Sequence, residues 1–191
     1  MGRPIRIRRT FARPADNTAY AAGDEVSSSA VAASVVRATF NMAGFRRGRI
    51  LAAALDGTPA SADFVTTAGD FELLIFKTGD VPAAVGDNVT HPIIAATRAL
   101  AVGGFRFDDT GWTGILGTVA AAASQFQKVG AHVVQPLATN VLQYPWPAGH
   151  PFTFLDDDTR TFTAVLRALA AWTPTGIVNT FGITLDIEAC E

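Results

Sequence analysis

The sequence predicts an all-β fold, a sandwich or a barrel, on two observations. First, residues 179–189 alternate strictly between apolar and polar side chains, as a strand with one buried face does. The predicted inward side chains are Phe181, Ile183, Leu185, Ile187 and Ala189. Thr184 is expected on the opposite, outward face. Second, short apolar runs recur along the chain and are separated by turn-forming residues.

The last two strands are predicted to form a long antiparallel pair. Residues 161–172 also alternate, with Phe162, Leu166 and Trp172 on one side. Between the two runs, residues 173–176 read Thr-Pro-Thr-Gly, with Pro and Gly in the order that turns favour. This pair is expected to anchor one sheet.

Shorter elements are predicted elsewhere. Further strands are expected at residues 5–8, 35–42, 50–55, 71–77 and, on an alanine-rich pattern that also suits a helix, 118–128. The 35–42 strand turns Val36, Ala38, Phe40 and Met42 to one side. Asp56-Gly57 follows the 50–55 run, a dipeptide typical of hairpins. Residues 90–100 have rough helical spacing, so one short helix is expected there.

Composition limits the classes of function. Apolar residues make up 49% of the 191 residues, which is enough to build a core. The net charge of −2 argues against nucleic-acid binding driven by bulk charge. No apolar run reaches the roughly 18 residues that suggest a membrane span, and no secretory signal is recognisable. We therefore expect a protein made and kept, or assembled, in a cytoplasm, without nucleic acid or membrane as a partner.

No residue pattern predicts catalysis or a cofactor. His91, His132 and His150 have no metal-ligand spacing and are expected to be surface or loop residues. The acidic run 156–158 could offer oxygens to Ca²⁺, but it lacks an EF-hand pattern and fits a solvated turn better. Cys190 has no surrounding motif, and no nucleotide-binding or serine-hydrolase motif occurs. We expect a non-enzymatic protein without cofactor or metal.

Arginines are concentrated near the N-terminus of a chain predicted to be one domain, residues 1–191, with long loops. The cluster consists of Arg3, Arg6, Arg8, Arg9 and Arg13. Within residues 1–34, a basic strand or adaptable arm followed by a loop, these arginines could bind an acidic partner surface. Equally, they could keep an edge strand from aggregating. The basic run 46–49 is interpreted as a solvated turn that could extend the same patch.

One stretch resembles a known group of proteins. Residues 11–24 read F-A-R-P-A-D-N-T-A-Y-A-A-G-D. This stretch is similar to the opening of a group of tailed-bacteriophage virion proteins, in which F-x-R-P-A-D-x-x-x-Y-x-x-G-D precedes a β-rich body. Further similar segments are Phe71 to Phe76, Gly86-Asp87-Asn88, Trp172-Thr173-Pro174 and Phe181 to Leu185. The resemblance covers about half of the chain.

The resemblance implies a structural role. The group is associated with capsid decoration, or cement, proteins built as jelly-roll-like β-sandwiches. Its members sit on the outer capsid surface, assembled in the host cytoplasm, and bridge neighbouring major capsid subunits. The expected partners are therefore the major capsid protein and further copies of the chain itself, as a dimer or trimer. The group brings no catalytic residues.

Two other functions remain open on the sequence. One is a tail- or fibre-associated sandwich that binds a receptor or glycan, with Tyr144, Trp146 and Trp172 as a sugar platform. The other is a small hydrolase whose site is assembled from distant residues, which the missing motifs disfavour.

Overall fold

The computed structural model describes residues 2–58, 70–107, 113–114, 126–129, 131–133, 149–156, 159–174 and 180–190. Its strands are β1 Arg3–Ala12, β2 Thr39–Asn41, β3 Arg47–Thr58, β4 Phe71–Lys77, β5 Ala101–Phe107, β6 Thr113–Gly114, β7 Phe126–Val129, β8 Ala131–Val133, β9 His150–Thr153, β10 Thr161–Ala168 and β11 Thr180–Cys190. One α-helix, α1, spans Ala95–Ala99, and short 3-10 turns occur at Ala32–Ser34 and Thr78–Asp80.

The strands form two antiparallel sheets. In the first sheet the order is β1-β11-β3-β7-β6, with β9 also paired to β3, and in the second it is β2-β10-β4-β5-β8. With the short β6, β7 and β8 set aside, the orders are β1-β11-β3-β9 and β2-β10-β4-β5. The chain changes sheet at every connection between these eight strands except β4 to β5, which is the jelly-roll arrangement. The predicted all-β, jelly-roll-like sandwich is confirmed.

The core lies between the two sheets and is rich in phenylalanine. Side chains that are fully inaccessible to solvent include Phe40, Phe71, Phe105, Phe107, Phe162 and Phe181. On β11, all five side chains predicted to face inward are at most 1% exposed. The period-two pattern therefore identified the buried face of this strand correctly.

The predicted pairing of the last two strands is wrong. β10 pairs with β2 and β4, whereas β11 pairs with β1 and β3 in the other sheet. Both strands face the same core from opposite sides, and each places one alternate set of side chains in it. Alternation reports which face is buried and carries no information about the neighbouring strand.

The predicted hairpin at Asp56-Gly57 is also wrong, because β3 continues through both residues to Thr58. Asp56 is stabilised in the strand by an ion pair with Arg8 of β1, which reaches across β11. Gly182 of β11 lies between them, and a Cβ atom there would collide with both charged groups. Because Gly182 has no side chain, the Arg8–Asp56 ion pair can pass over β11 and join β1 to β3.

One long connection, residues 13–38, lies along the β10 edge of the second sheet, where the Val26 N–H donates to the Leu166 carbonyl. The other, residues 78–100, covers the outer face of this sheet. This covering explains why β4 is buried on both faces, as predicted. Beneath it is a second apolar cluster of Leu74, Phe76, Ala101 and Val165, against which Val81 and Ile93 pack. The expected helix is present as α1 but is shorter than the predicted 90–100, since His91 N–H bonds to the Gly23 carbonyl in the other connection.

One strand prediction was too long. The strand expected at 35–42 is reduced to β2, and Val36, predicted to face inward with Phe40, is 70% exposed. The described part of the run 118–128, residues 126–128, belongs to β7, as predicted, and the remainder lies outside the described residues.

The N-terminal segment is an integral edge strand, which corrects the expectation of an adaptable arm. All ten residues of β1 are in register with β11, from Arg3 opposite Ala189 to Ala12 opposite Thr180. Ile5, Ile7 and Phe11 pack against the core. Edge strands of this kind contribute to the fold through both ladder hydrogen bonds and apolar contact.

Candidate interaction surface

On the outer face of the first sheet, two arginines of β1 form ion pairs with acidic residues of neighbouring strands. Arg6 on β1 forms a bidentate pair with Asp186 on β11, with N–O distances of 2.5 and 2.9 Å. The Arg6 side chain is 74% exposed. Arg8 makes a similar two-point contact with Asp56. These ion pairs raise the pKa of both guanidinium groups. Two of the five arginines predicted to bind a partner are thus already paired within the chain.

The other three predicted arginines differ from one another. Arg9 is exposed and donates to the Thr39 carbonyl of β2 at 3.0 Å, joining the edge strands of the two sheets. Arg3 is exposed at the start of β1. The Arg13 side chain is fully buried. Its assignment to a partner surface is therefore wrong, because a buried guanidinium cannot contact another protein.

Arg13 is the centre of a buried polar cluster. Its Nε donates to the Tyr20 hydroxyl at 3.1 Å, and its Nη2 donates to the backbone and carboxylate oxygens of Asp16 at 2.7 and 2.8 Å. The guanidinium also lies over the Tyr20 and Trp172 rings, 5.7 and 5.9 Å from their centroids. A buried cation stacked and hydrogen-bonded in this way holds its neighbours in one arrangement.

The same cluster continues to Asp87. The Tyr20 hydroxyl donates to Asp87 Oδ2 at 2.6 Å, and the Ser27 N–H donates to Oδ1 at 2.8 Å. Burial raises the pKa of the Asp87 carboxyl, while these two donors oppose that rise. Burial is also the main cause that raises the pKa of Tyr20. The phenol therefore stays protonated and acts as a donor.

The residues that carry the resemblance meet in this region, although they come from separate parts of the chain. Phe11 stacks on Phe181 with centroids 5.6 Å apart, and Tyr20 stacks on Trp172 at 5.0 Å. Trp172 also contacts Phe71 and Phe181 edge-on. The motif therefore encodes a packing site that ties the connection after β1 to the connections after β4 and β10.

The predicted glycan platform is not supported. Trp172 is 3% exposed and packs inside this cluster, so it cannot present a face to a sugar. Tyr144 and Trp146 lie outside the described residues.

A second set of buried charges fixes the covering over the second sheet. Arg37 binds both carboxylate oxygens of Glu25 at 2.8 Å, and Arg167 and Arg98 each bind Glu72. His91 lies between these groups, with Nε2 3.6 Å from Glu25 Oε2 and 3.1 Å from Arg37 Nη2. Burial lowers the pKa of His91. Each ion is compensated by a partner, as buried charges require.

The histidines and acidic residues show no metal site in the part of the chain that the structure describes, where no group of three potential ligands occurs. His91 lies in a loop yet is 3% exposed. His150 was expected at the surface or in a loop, but it lies in β9, is 9% exposed and packs edge-on against Phe105. Asp156 pairs with Arg46 at 2.5 Å, whereas residues 157–158 and the His132 side chain are outside the described set.

Sequence reasoning did not single out the groove at the end of the first sheet. The groove measures about 420 Å³ and is lined by Arg47, Gly48, Arg49, Pro151, Phe152, Thr153, Glu188 and Cys190. Arg47 and Arg49 belong to β3 rather than to the solvated turn predicted for 46–49. The only hint in the sequence was that the run 46–49 is basic, like the N-terminal arginine cluster, and could extend the same patch.

Among the described helices, none has the length and apolar character to cross a membrane. The sequence matches no known family model and no curated protein.

Proposed function

We propose that this chain is a structural virion protein, a capsid decoration protein that bridges neighbouring major capsid subunits on the outside of a phage head. The observation that carries the proposal is the meeting of three separated motif segments in one buried cluster. Arg13 and Tyr20, Asp87, and Trp172 come from different connections and contact one another directly or through Tyr20. Short motifs that matched by coincidence would have no reason to share one packing site.

The fold and surface support a contact role. Jelly-roll sandwiches are common in viral capsid proteins, although a fold alone does not fix a function. The outer face of the first sheet presents exposed charged side chains, including Arg6, on a hydrogen-bonded β-platform. We propose this face as the surface that contacts the capsid, and further copies of the chain as the second partner.

The test is the location of the protein in virions of a phage that encodes it. Heads and tails are separated, and the chain is quantified in each by mass spectrometry against the major capsid protein. We expect the chain in the head fraction, at a copy number that is a simple fraction or multiple of the capsid protein. Recovery with tails would instead support a receptor- or glycan-binding role, and absence from both fractions would contradict a virion function.

A further inference from the structure

Two arginines of the first sheet differ from most of the others by having no internal partner. Arginines that bond to another described residue are Arg6, Arg8, Arg9, Arg13, Arg37, Arg46, Arg98, Arg106 and Arg167. Within the described residues, Arg47 and Arg49 make no hydrogen bond or ion pair. Both are exposed. Their charges are therefore available to another molecule.

Strand geometry places these two charges on one face. Gly48 between them faces the core, since a Cβ there would meet the Phe152 ring. The side chains of Arg47 and Arg49 consequently project from the outer face of the sheet. Alternate residues on a strand are about 6.6–6.8 Å apart. Like charges side by side repel unless an anion lies between or against them. This arrangement favours a ligand with negative charge.

The groove beside the arginines gives such a ligand a defined shape. β9 forms one wall through Pro151 and Thr153, and β11 forms the other through Glu188 and Cys190. The lining residues of β3, Arg47 to Arg49, are consecutive and in register with Pro151 to Thr153 of β9, so an extended segment fits alongside them. Glu188 adds a negative charge opposite Arg49, which disfavours a ligand as densely charged as a nucleic acid.

We propose that this groove binds an extended acidic segment of a partner protein, in which two carboxylates occupy alternate positions. Alternate side chains of an extended segment repeat at the same spacing of about 6.6–6.8 Å as Arg47 and Arg49. Each guanidinium can hold one carboxylate through two parallel hydrogen bonds. The identity of the partner as the major capsid protein rests on the proposed function, whereas the preference for spaced carboxylates does not.

The direct test uses three fluorescent octapeptides with Thr and Val as the other residues. The first has two glutamates at alternate positions, the second has them adjacent, and the third has glutamines at the alternate positions. Binding is measured by anisotropy to wild type, to Arg47→Gln/Arg49→Gln, and to Arg106→Gln/Arg160→Gln. The last variant removes one charge from β5 of the second sheet and one from the residue just before β10, and the melting temperature of each variant verifies folding.

We expect the alternate-glutamate peptide to bind wild type and the Arg106/Arg160 control equally, and the Arg47/Arg49 variant about tenfold or more weakly, as loss of charge-assisted bonds predicts. The other two peptides should bind weakly to all three proteins. Equal binding of the adjacent and alternate peptides, or unchanged binding by the Arg47/Arg49 variant, would overturn the inference.

Sedimentation with capsids separates this inference from the proposed function. If wild type attaches to capsids and the Arg47/Arg49 variant does not, both are supported. If wild type distinguishes the peptides but fails to attach to capsids, the groove inference stands and the decoration role fails. If the Arg47/Arg49 variant attaches to capsids as well as wild type does, the groove is not the capsid-binding site and this assignment fails.

Discussion

The hydroxyl of Tyr20 donates a 2.6 Å hydrogen bond to Oδ2 of Asp87, 67 positions further along the chain. Both side chains are buried, and Tyr20 also accepts a bond from Arg13. This contact joins the long connection after β1 to the long connection after β4. The contact explains why the motif segments contain Arg13, Tyr20 and Asp87, since these three side chains bond to one another in the folded protein.

Replacing Tyr20 with Phe should lower the free energy of unfolding by about 1–3 kcal/mol, because the buried Asp87 carboxylate loses a donor. Urea unfolding at pH 7 measures the change. Combining Tyr20→Phe with Asp87→Ala should cost less than the sum of the two single changes, since each single change already removes the bond between these side chains. An additive double variant, or a Tyr20→Phe protein as stable as wild type, would contradict this assignment.

The sequence exposed the motif but not the role of its side chains. Arg13 stood in a run of arginines and was assigned to a partner surface with them, because composition does not distinguish a buried arginine from an exposed one. Its burial depends on Tyr20 and Trp172, and Trp172 is 159 positions away from Arg13 and in a different connection. Contacts between such distant segments arise from strand order, which local patterns do not specify.

Removal of residues 1–9 should strongly destabilise the protein or abolish soluble expression. An adaptable arm, one of the alternatives expected from the sequence, would predict the opposite, because an untethered terminal segment makes few contacts. The truncation removes most of β1, with Ile5 and Ile7, and leaves β11 as an unpaired edge. The melting temperature measures the effect, with Arg6→Gln as a control that should change it little because Arg6 is exposed. A truncated protein that melts like wild type would refute the role of β1 in the core.

Adjacent positions on β11 should respond differently to a carboxylate. Ile183→Asp should prevent soluble expression, since it buries an unpaired charge in the core at a cost of several kcal/mol. Thr184 faces the other way and lies opposite Arg8 on β1, but it is only 7% exposed, so a carboxylate there should still cost some stability. Thr184→Asp should fold with a moderate loss of about 1–2 kcal/mol, because Arg8 offers a counter-charge. Soluble yield and urea midpoints test both, and equal tolerance would contradict the register.

Stability should fall below neutral pH partly through His91. Burial lowers its pKa below the ordinary value of 6.5, with Arg37 and Arg167 acting in the same direction and Glu25 opposing them. The unfolded chain therefore binds a proton that the folded protein does not, so this stability is fully present above pH 6.5 and is lost as pH falls through the lower folded value. His91→Gln should flatten the dependence of unfolding free energy on pH in the range just below 6.5. An unchanged slope would exclude His91 as the cause.

The fold itself was predictable in class and partly in detail. The alternation of Phe181, Ile183 and Leu185 identified a buried strand face, and the apolar run 71–77 identified a strand covered on both sides. Strand partners were not predictable, because β10 and β11 have the same pattern whether they are neighbours or face each other across the core. The extension of β3 through Asp56-Gly57 depended on Arg8 reaching over Gly182, a contact among three strands.

A binding isotherm on purified empty capsids tests the proposed decoration of a phage capsid. Increasing amounts of the purified chain are sedimented with a fixed amount of capsids, and the bound protein is quantified per major capsid subunit. We expect saturation at a fixed stoichiometry set by the capsid lattice, with attachment weakening as salt rises because exposed charges contribute. Binding that never saturates, or no binding at any concentration, would contradict it.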